Sequence, residues 1–312
     1  MGTIARLVRP AQVGQARRTD HFRLDAERGG ECNFYCPSGG GAMMKSMEQM
    51  RAELSALTMA RMGFDGAAVE QGSPEWILMR RGVITASRAK DLIATDRSGK
   101  GPGAARKAYM LELAGEIMAD AEDSRGFKQT EWGQSNESDA RATFAFHTGL
   151  PVHEIPFIYG DVGMRYGCSP DGIVDEYSGA EIKCPFTNAV YMDFIGGEVP
   201  KQEYMEQMQF SMFVTGAEFW HFCNYNPRMY ERPFHAIIIE RDEAKMKIFA
   251  DAVGQMTHDL DRYLRETCKL TMRFGDHWER ARERRELSLD VPQQADSRNE
   301  SDVRIQPSRS SK

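Results

Sequence analysis

The 312-residue chain has no apolar run approaching the ~18–20 residues needed to cross a bilayer. Its first residues lack the continuous apolar stretch of a signal peptide. Arg6 stands where myristoylation needs Ser or Thr. These absences lead to the expectation of a soluble, cytoplasmic protein, in the cytoplasm of a bacterial host if a phage encodes it. Cysteine is also scarce. Of Cys32, Cys36, Cys168, Cys184, Cys223 and Cys268, only the first two are close in sequence. No second Cys or His pair follows them to complete a zinc site. No cysteine cluster suggests an iron–sulfur centre, and a disulfide scaffold does not suit a cytoplasmic chain of this size. Reduced, mostly buried thiols are expected.

A basic surplus is lacking too, since the net charge is −6. Residues 1–64 carry 9 Lys+Arg against 6 Asp+Glu, and residues 276–312 carry 8 of each. The segment between them therefore holds the negative charge. A nucleic-acid partner would have to be met in a local basic groove.

What the chain does have is 41% hydrophobic content, enough for a sizeable core. Residues 1–64 read as an extension, poorly ordered apart from a short helix over about 45–62. Gly29-Gly30, Pro37-Ser38 and Gly39-Gly40-Gly41 interrupt any period there. Residues 279–312 read as a charged polar tail, helical to about Leu287 and disordered from Pro292. Between them, residues 65–278 read as one mixed α/β domain. Helices are expected over about 87–94, 104–121, 131–148, 201–214 and 243–266. Strands are expected over about 156–159, 164–174, 180–184, 218–225 and 235–240. Strands alternating with helices imply a sheet covered by helices on both faces.

The run from Ser169 to Cys184 is the richest in chemistry. Glu181 and Lys183 are two apart on an expected strand, so they share a face, with Ile182 turned to the core. Asp171 sits ahead of them at the end of the preceding strand. Tyr177-Ser178-Gly179 supplies the turn that folds it alongside. Two carboxylates meeting at one point suit Mg²⁺, and a lysine beside them can orient water or stabilise developing charge. The alternative is a solvated strand face with paired charges.

Glu137 and Arg141 are four apart on an expected helix. They are either a surface ion pair or a further metal-site carboxylate with its steadying cation. Ser87 can cap the helix that follows it. A helix N-terminus near an arginine such as Arg80 also binds phosphate well. Gln207 and Gln209 interrupt an apolar helix, and either could face a polar site, although Gln207 is equally consistent with the surface.

Gly82-Val-Ile-Thr-Ala-Ser87, Cys168-Ser-Pro-Asp-Gly172, Lys183-Cys-Pro-Phe-Thr187 and Asn224-Tyr-Asn-Pro-Arg-Met229 together resemble the lambda-exonuclease and YqaJ-type viral recombinase nucleases. That group lies within the PD-(D/E)xK nuclease superfamily. The resemblance runs from about Val69 to Trp278. It implies a restriction-endonuclease-like α/β core with a central mixed sheet flanked by helices. It implies that Asp171 and Glu181 ligate Mg²⁺ (or Mn²⁺), that Glu137 supports a second metal, and that Lys183 works on the attacking water. Gln209 would sit beside the site, while Arg80, Ser87 and Ser169 would grip a 5′-phosphate. The implied activity is 5′→3′ digestion of linear duplex DNA ends. It would release 5′-mononucleotides and leave a 3′ overhang for a single-strand annealing recombinase. A homotrimeric ring is implied as well. The rivals are an endonuclease on the same fold and a non-catalytic scaffold that binds DNA ends.

Overall fold

The computed structural model describes residues 44–119, 128–197 and 199–289. The poorly ordered extension expected before residue 44, the disordered tail expected from Pro292, and Cys32 and Cys36 lie outside these.

The first helix, α1 (Met47–Met62), starts at Ser46, whose hydroxyl accepts from the Gln49 amide while the Gln49 side chain returns the bond. That reciprocal cap satisfies two otherwise orphaned donors. Met50, Leu54, Thr58 and Met62 recur every four residues and are buried. Directly after the helix, the Gly66 amide donates to Thr58 Oγ1 at 2.8 Å. A Cβ on Gly66 would stand 2.7 Å from that oxygen, so only glycine fits the approach. This corrects the expected boundary at residue 64. Met44, Met50, Leu54 and Met62 join the main hydrophobic core, so residues 44–64 belong to the folded body.

The chain continues through α2 (Pro74–Arg80), β1 (Ile84–Thr85), the four-residue α3 (Ala89–Leu92), α4 (Ala104–Met118) and α5 (Lys128–Thr148). The strands β2 (Ile158–Tyr159) and β3 (Tyr166–Cys168) follow. They form a three-stranded sheet ordered β1-β3-β2, with β1 and β3 parallel. Then come β4 (Gly172–Ile173), β5 (Ser178–Lys183), α6 (Asn188–Gly197), α7 (Gln202–Thr215), β6 (Phe219–Tyr225) and β7 (Phe234–Glu240). These strands make a four-stranded sheet ordered β4-β5-β6-β7. The β5–β6 pair is parallel and its flanking pairs are antiparallel, so the sheet is mixed.

The single strand expected over 164–174 is instead two. Pro170 has no amide to donate, and the ladder breaks there. The turn expected at Tyr177–Gly179 falls earlier, since β5 already begins at Ser178. α6 was not anticipated.

α8 (Glu243–Glu266) buries Phe249, Val253, Met256, Leu260 and Leu264 along one stripe, as the periodicity requires. The last helix, α9 (Asp276–Leu289), crosses the expected boundary at 278. Trp278 is fully buried in the main core, and residues 279–289 continue its helix. A second, smaller apolar cluster joins Ala140 and Phe144 of α5 to Ala180 and Ile182 of β5. It fixes α5 against the face of the sheet opposite to Glu181 and Lys183. Among the described residues, no helix is long and apolar enough to cross a membrane.

Candidate active site

The site lies at the C-terminal end of β5. Ile182 is buried toward α5, and its neighbours Glu181 and Lys183 point the other way, as strand alternation demands. Glu181 is 1% exposed. Its Oε1 accepts from Lys183 Nζ and, at 2.7 Å, from Gln207 Nε2 of α7. Asp171 stands just before β4, and its Oδ2 accepts the Ile182 amide at 2.6 Å. That bond ties the acid across the β4–β5 hairpin and holds it beside the lysine. Glu137 of α5 accepts from Arg141 Nη1 at 2.5 Å, and Arg141 also pairs with Glu154 at 3.0 Å.

Glu137, Asp171 and Lys183 line one cavity of ≈ 630 Å³, together with Lys201, Tyr204 and Asn224. Asn224 pairs in register with Lys183 across the parallel β5–β6 ladder. It is 4% exposed, and its Nδ2 finds no partner among the described residues. The lysine ammonium stands 5.0 Å from the centroid of the Tyr204 ring.

The electrostatics reflect crowding. Burial pushes Glu181 up to about 7, and the charges of Asp171 and Glu137 add to the push against the pull of Lys183. Burial likewise raises Asp171, against Lys183, the Ile182 amide and Arg141. Glu137 is raised by burial and then by Asp171, with Arg141 opposing. Burial disfavours charge on Lys183, but Glu181 and Asp171 outweigh it and hold the ammonium above its usual range. Lys183 is therefore a fixed cation at neutral pH, suited to orienting and stabilising charge rather than to accepting a proton. Burial, followed by the Glu137 and Asp171 charges, lifts the Cys184 thiol to about 12 and keeps it protonated.

Among the described residues, no three His, Cys, Asp or Glu side chains stand together so as to hold a metal ion as a set. The donor chemistry nonetheless suits a hard divalent cation. Asp171 and Glu137 offer carboxylate oxygens to one cavity, and both raise the pKa of Glu181, so all three acids feel one another's charge. Such mutual repulsion is what a bound cation relieves.

The other expected site residues are distributed differently. Gln209 does not reach the site. Two positions from Gln207 is about 200° around a helix, and Gln209 instead bridges the Glu240 carbonyl and the Asp242 amide at 2.7 and 2.9 Å. It secures the turn from β7 into α8, and Gln207 takes the place beside Glu181. Ser87 caps no helix. It is an exposed residue within the 3-10 turn 86–88, 3.3 Å from Thr85 Oγ1. Ser169 leaves β3 at the same edge at which Ser87 follows its parallel neighbour β1. The Ser169 hydroxyl is buried and finds no partner among the described residues. Arg80 ends α2 with its guanidinium 4.0 Å over the Trp76 ring. None of these three lines the cavity of Asp171 and Lys183.

Sequence reasoning did not single out Tyr204, Lys201 or the individual role of Asn224. Asn224 lay within a quoted motif, and the parallel register with Lys183 is what gives it a place.

The model of the YqaJ-like viral recombinase domain matches residues 75–218. An 83-residue stretch is 39% identical to the putative uncharacterized protein ExoD of Escherichia coli (strain K12), covering 27% of this chain and 92% of that protein. Among solved structures, the alkaline exonuclease LHK-Exo of Laribacter hongkongensis is 30% identical with a TM-score of 0.57. It covers 63% of this chain and 98% of its own. The same enzyme in complex with dAMP superimposes with the same TM-score at 29% identity. With its mixed sheet, flanking helices and β5-end carboxylates, the chain has the restriction-endonuclease-like fold of these exonucleases and belongs to the YqaJ-like viral recombinase domain family.

Proposed function

We propose that this protein is a Mg²⁺-dependent 5′→3′ exonuclease that digests one strand of linear duplex DNA from its end. It releases 5′-mononucleotides and leaves a 3′ overhang for a single-strand annealing recombinase. The coarser part, a nuclease acting in recombination, rests on the family and its alkaline exonuclease neighbours. The observation that carries the chemistry is the convergence of Asp171, Glu137 and Lys183 on one cavity, with Glu181 buried against Lys183. A crowd of carboxylates repels phosphate and has little use in a protein that only binds DNA. It is useful where a cation is to be held against the scissile group.

Asp171, Glu181 and Glu137 would hold the metal. When bound there, Mg²⁺ (or Mn²⁺) lowers the pKa of a coordinated water and offsets charge on the phosphate. Lys183 keeps its proton and directs an N–H donor toward the reacting oxygens. Gln207 and the Ile182 amide fix the orientations of Glu181 and Asp171. Arg141 opposes the burial that raises the Glu137 carboxyl and holds its orientation. Release of a mononucleotide is in keeping with LHK-Exo, which has been crystallised with dAMP.

Arg80, Ser87 and Ser169 would grip the 5′-phosphate of the DNA end. The Ser169 hydroxyl, two residues from Asp171 and without a partner among the described residues, supports that reading. A trimeric ring in the bacterial cytoplasm would keep the enzyme on its substrate without a strongly basic surface.

The test is end-labelled linear duplex incubated with and without Mg²⁺ beside a covalently closed circle. Mononucleotides from the linear DNA alone are expected. Cutting of the circle would mark an endonuclease, and metal-independent binding without products would mark a scaffold. Faster digestion of 5′-phosphorylated than of 5′-hydroxyl ends, lost in Arg80→Ala, tests the phosphate grip.

A further inference from the structure

The cavity at the end of β5 has two unlike sides. Asp171, Glu137 and Lys183 make one side charged, while Phe186 and Val190 make the other apolar. Hydrolysing a phosphodiester needs only the first. Phe186 is 46% exposed and Val190 41%, a cost in unburied apolar surface.

Phe186 is not a loosely held surface residue. Arg228, from the connection between β6 and β7, donates through Nη2 to the carbonyls of Pro185 at 3.2 Å and Phe186 at 2.5 Å. The Arg228 guanidinium also lies 4.4 Å over the ring of Trp132. Trp132 in turn meets the Phe186 ring edge-on, with centroids 6.1 Å apart and planes at 87°. Behind Arg228, Asn226 is fully buried, accepts from the Arg228 amide at 3.1 Å and donates to Asn188 at 3.1 Å. A connected set of contacts thus holds one exposed aromatic ring at the edge of a charged cavity. Asn224, buried with an amide that finds no partner among the described residues, lines the cavity too.

A ligand that satisfies both sides must carry an anion and a flat apolar face. Resting on the nuclease reading of this cavity, we propose that Phe186, backed by Trp132 and flanked by Val190, is the platform on which the base of the nucleotide on the 3′ side of the cut stacks while its 5′-phosphate, the scissile group for which the phosphate of dAMP stands in, lies among Asp171, Glu137 and Lys183. Every base has a π-face, so such a platform tolerates sequence while adding affinity. Phe186 is then a substrate-binding residue, and Arg228 is a positioning residue that acts through it.

The experiment is calorimetric titration of the full chain, in Mg²⁺ buffer, with dAMP and separately with 2-deoxyribose 5-phosphate. Phe186→Ala is expected to weaken dAMP binding about 5- to 150-fold, the equivalent of ~1–3 kcal/mol of stacking at 1.4 kcal/mol per decade. Binding of the base-free sugar phosphate should stay at the wild-type level. Phe186→Tyr keeps the ring and should restore dAMP binding, which excludes a folding defect as the cause. Equal dAMP affinity in wild type and Phe186→Ala, or equal loss of both ligands, overturns the platform. Digestion of linear duplex, measured on the same preparations, separates the two readings. A chain that binds dAMP through Phe186 but cuts nothing keeps the platform and loses the nuclease, whereas a chain that cuts normally with Phe186→Ala indifferent to dAMP does the reverse.

Discussion

The Asp171–Lys183 region and the Arg80–Ser87 region are built by opposite means. The first is assembled by one hairpin. Asp171 meets the Ile182 amide only 11 residues away, and Glu181 meets Lys183 two residues away. The second is held from the far end of the chain. Trp278 Nε1 donates to the Leu78 carbonyl at 2.9 Å, and His277 Nε2 lies 3.0 Å from the Arg81 carbonyl. These two bonds bracket Arg80 with residues nearly 200 positions downstream. Local construction suits a cluster whose mutual repulsion demands fixed geometry. Remote construction makes the Arg80 segment depend on the integrity of the whole fold. Damage to the first should therefore appear as lost chemistry and damage to the second as lost stability.

Three measurements test that contrast. The largest effect is expected from Lys183→Ala, which removes the fixed cation and leaves Glu181 buried with one partner fewer. Mg²⁺-dependent nucleotide release should fall at least ~10²–10³-fold. Undiminished release would sink the assigned site.

Next is the pair Gln207→Ala and Gln209→Ala. The first removes a hydrogen bond to a carboxylate, worth ~1.5–3 kcal/mol, and should slow digestion by roughly ten- to a hundredfold with little change in melting temperature. The second leaves the Asp242 amide and the Glu240 carbonyl unpaired and should lower stability by ~1–3 kcal/mol with the turnover intact. Reversed outcomes would restore Gln209 to the site.

The last effect, small at neutral pH and growing only in acid, concerns His277. Burial, with the charges of Arg81 and Arg280, pushes its pKa down to about 4, although the bond to the Arg81 carbonyl opposes them. The unfolded imidazole titrates near ~6.5, so below that pH the unfolded chain takes up a proton that the folded chain refuses. The stability that the neutral ring contributes is full above ~6.5 and is lost as pH falls toward about 4, amounting to ~3 kcal/mol at most. His221, also held down to about 4 by burial, adds to the same slope. Thermal melts at pH 7 and pH 5 should differ by several degrees, and His277→Gln should narrow the gap. A flat profile would show that the clasp on α2 does not depend on a neutral ring.

The sequence made the two regions unequally readable for the same reason. Glu181, Lys183 and Asp171 lie within one run, and strand alternation alone sets which of them share a face. The extent of α8 was legible because its apolar stripe is unbroken, and that of β6 because Phe219–Tyr225 is a run rich in aromatic residues, buried on both faces. Gln207 could not be separated from Gln209 without knowing which side of α7 meets β5, a matter of tertiary packing. Ser87 looked like a cap because a hydroxyl before an apolar run usually is one, but the backbone there tightens into a 3-10 turn. The folded status of residues 44–64 was hidden by the glycine-rich stretch before it, although the four-residue spacing of Met50, Leu54, Thr58 and Met62 was there to be read. The Phe186 platform depends on Arg228 arriving from 42 residues away, and nothing in local spacing announces it.

The parallel pairing of β5 with β6 also bears on how the molecule comes into being. Ile182 sits opposite Cys223, and all of α6 and α7 lies between them. Closing so long a crossover costs chain entropy before any ladder bond is gained. During synthesis Asp171, Glu181 and Lys183 emerge well before Gln207 and Asn224, so a nascent chain carries its acids without the partners that aim them. On the proposed reading, a site able to cut DNA is complete only when α7 docks and β6 pairs.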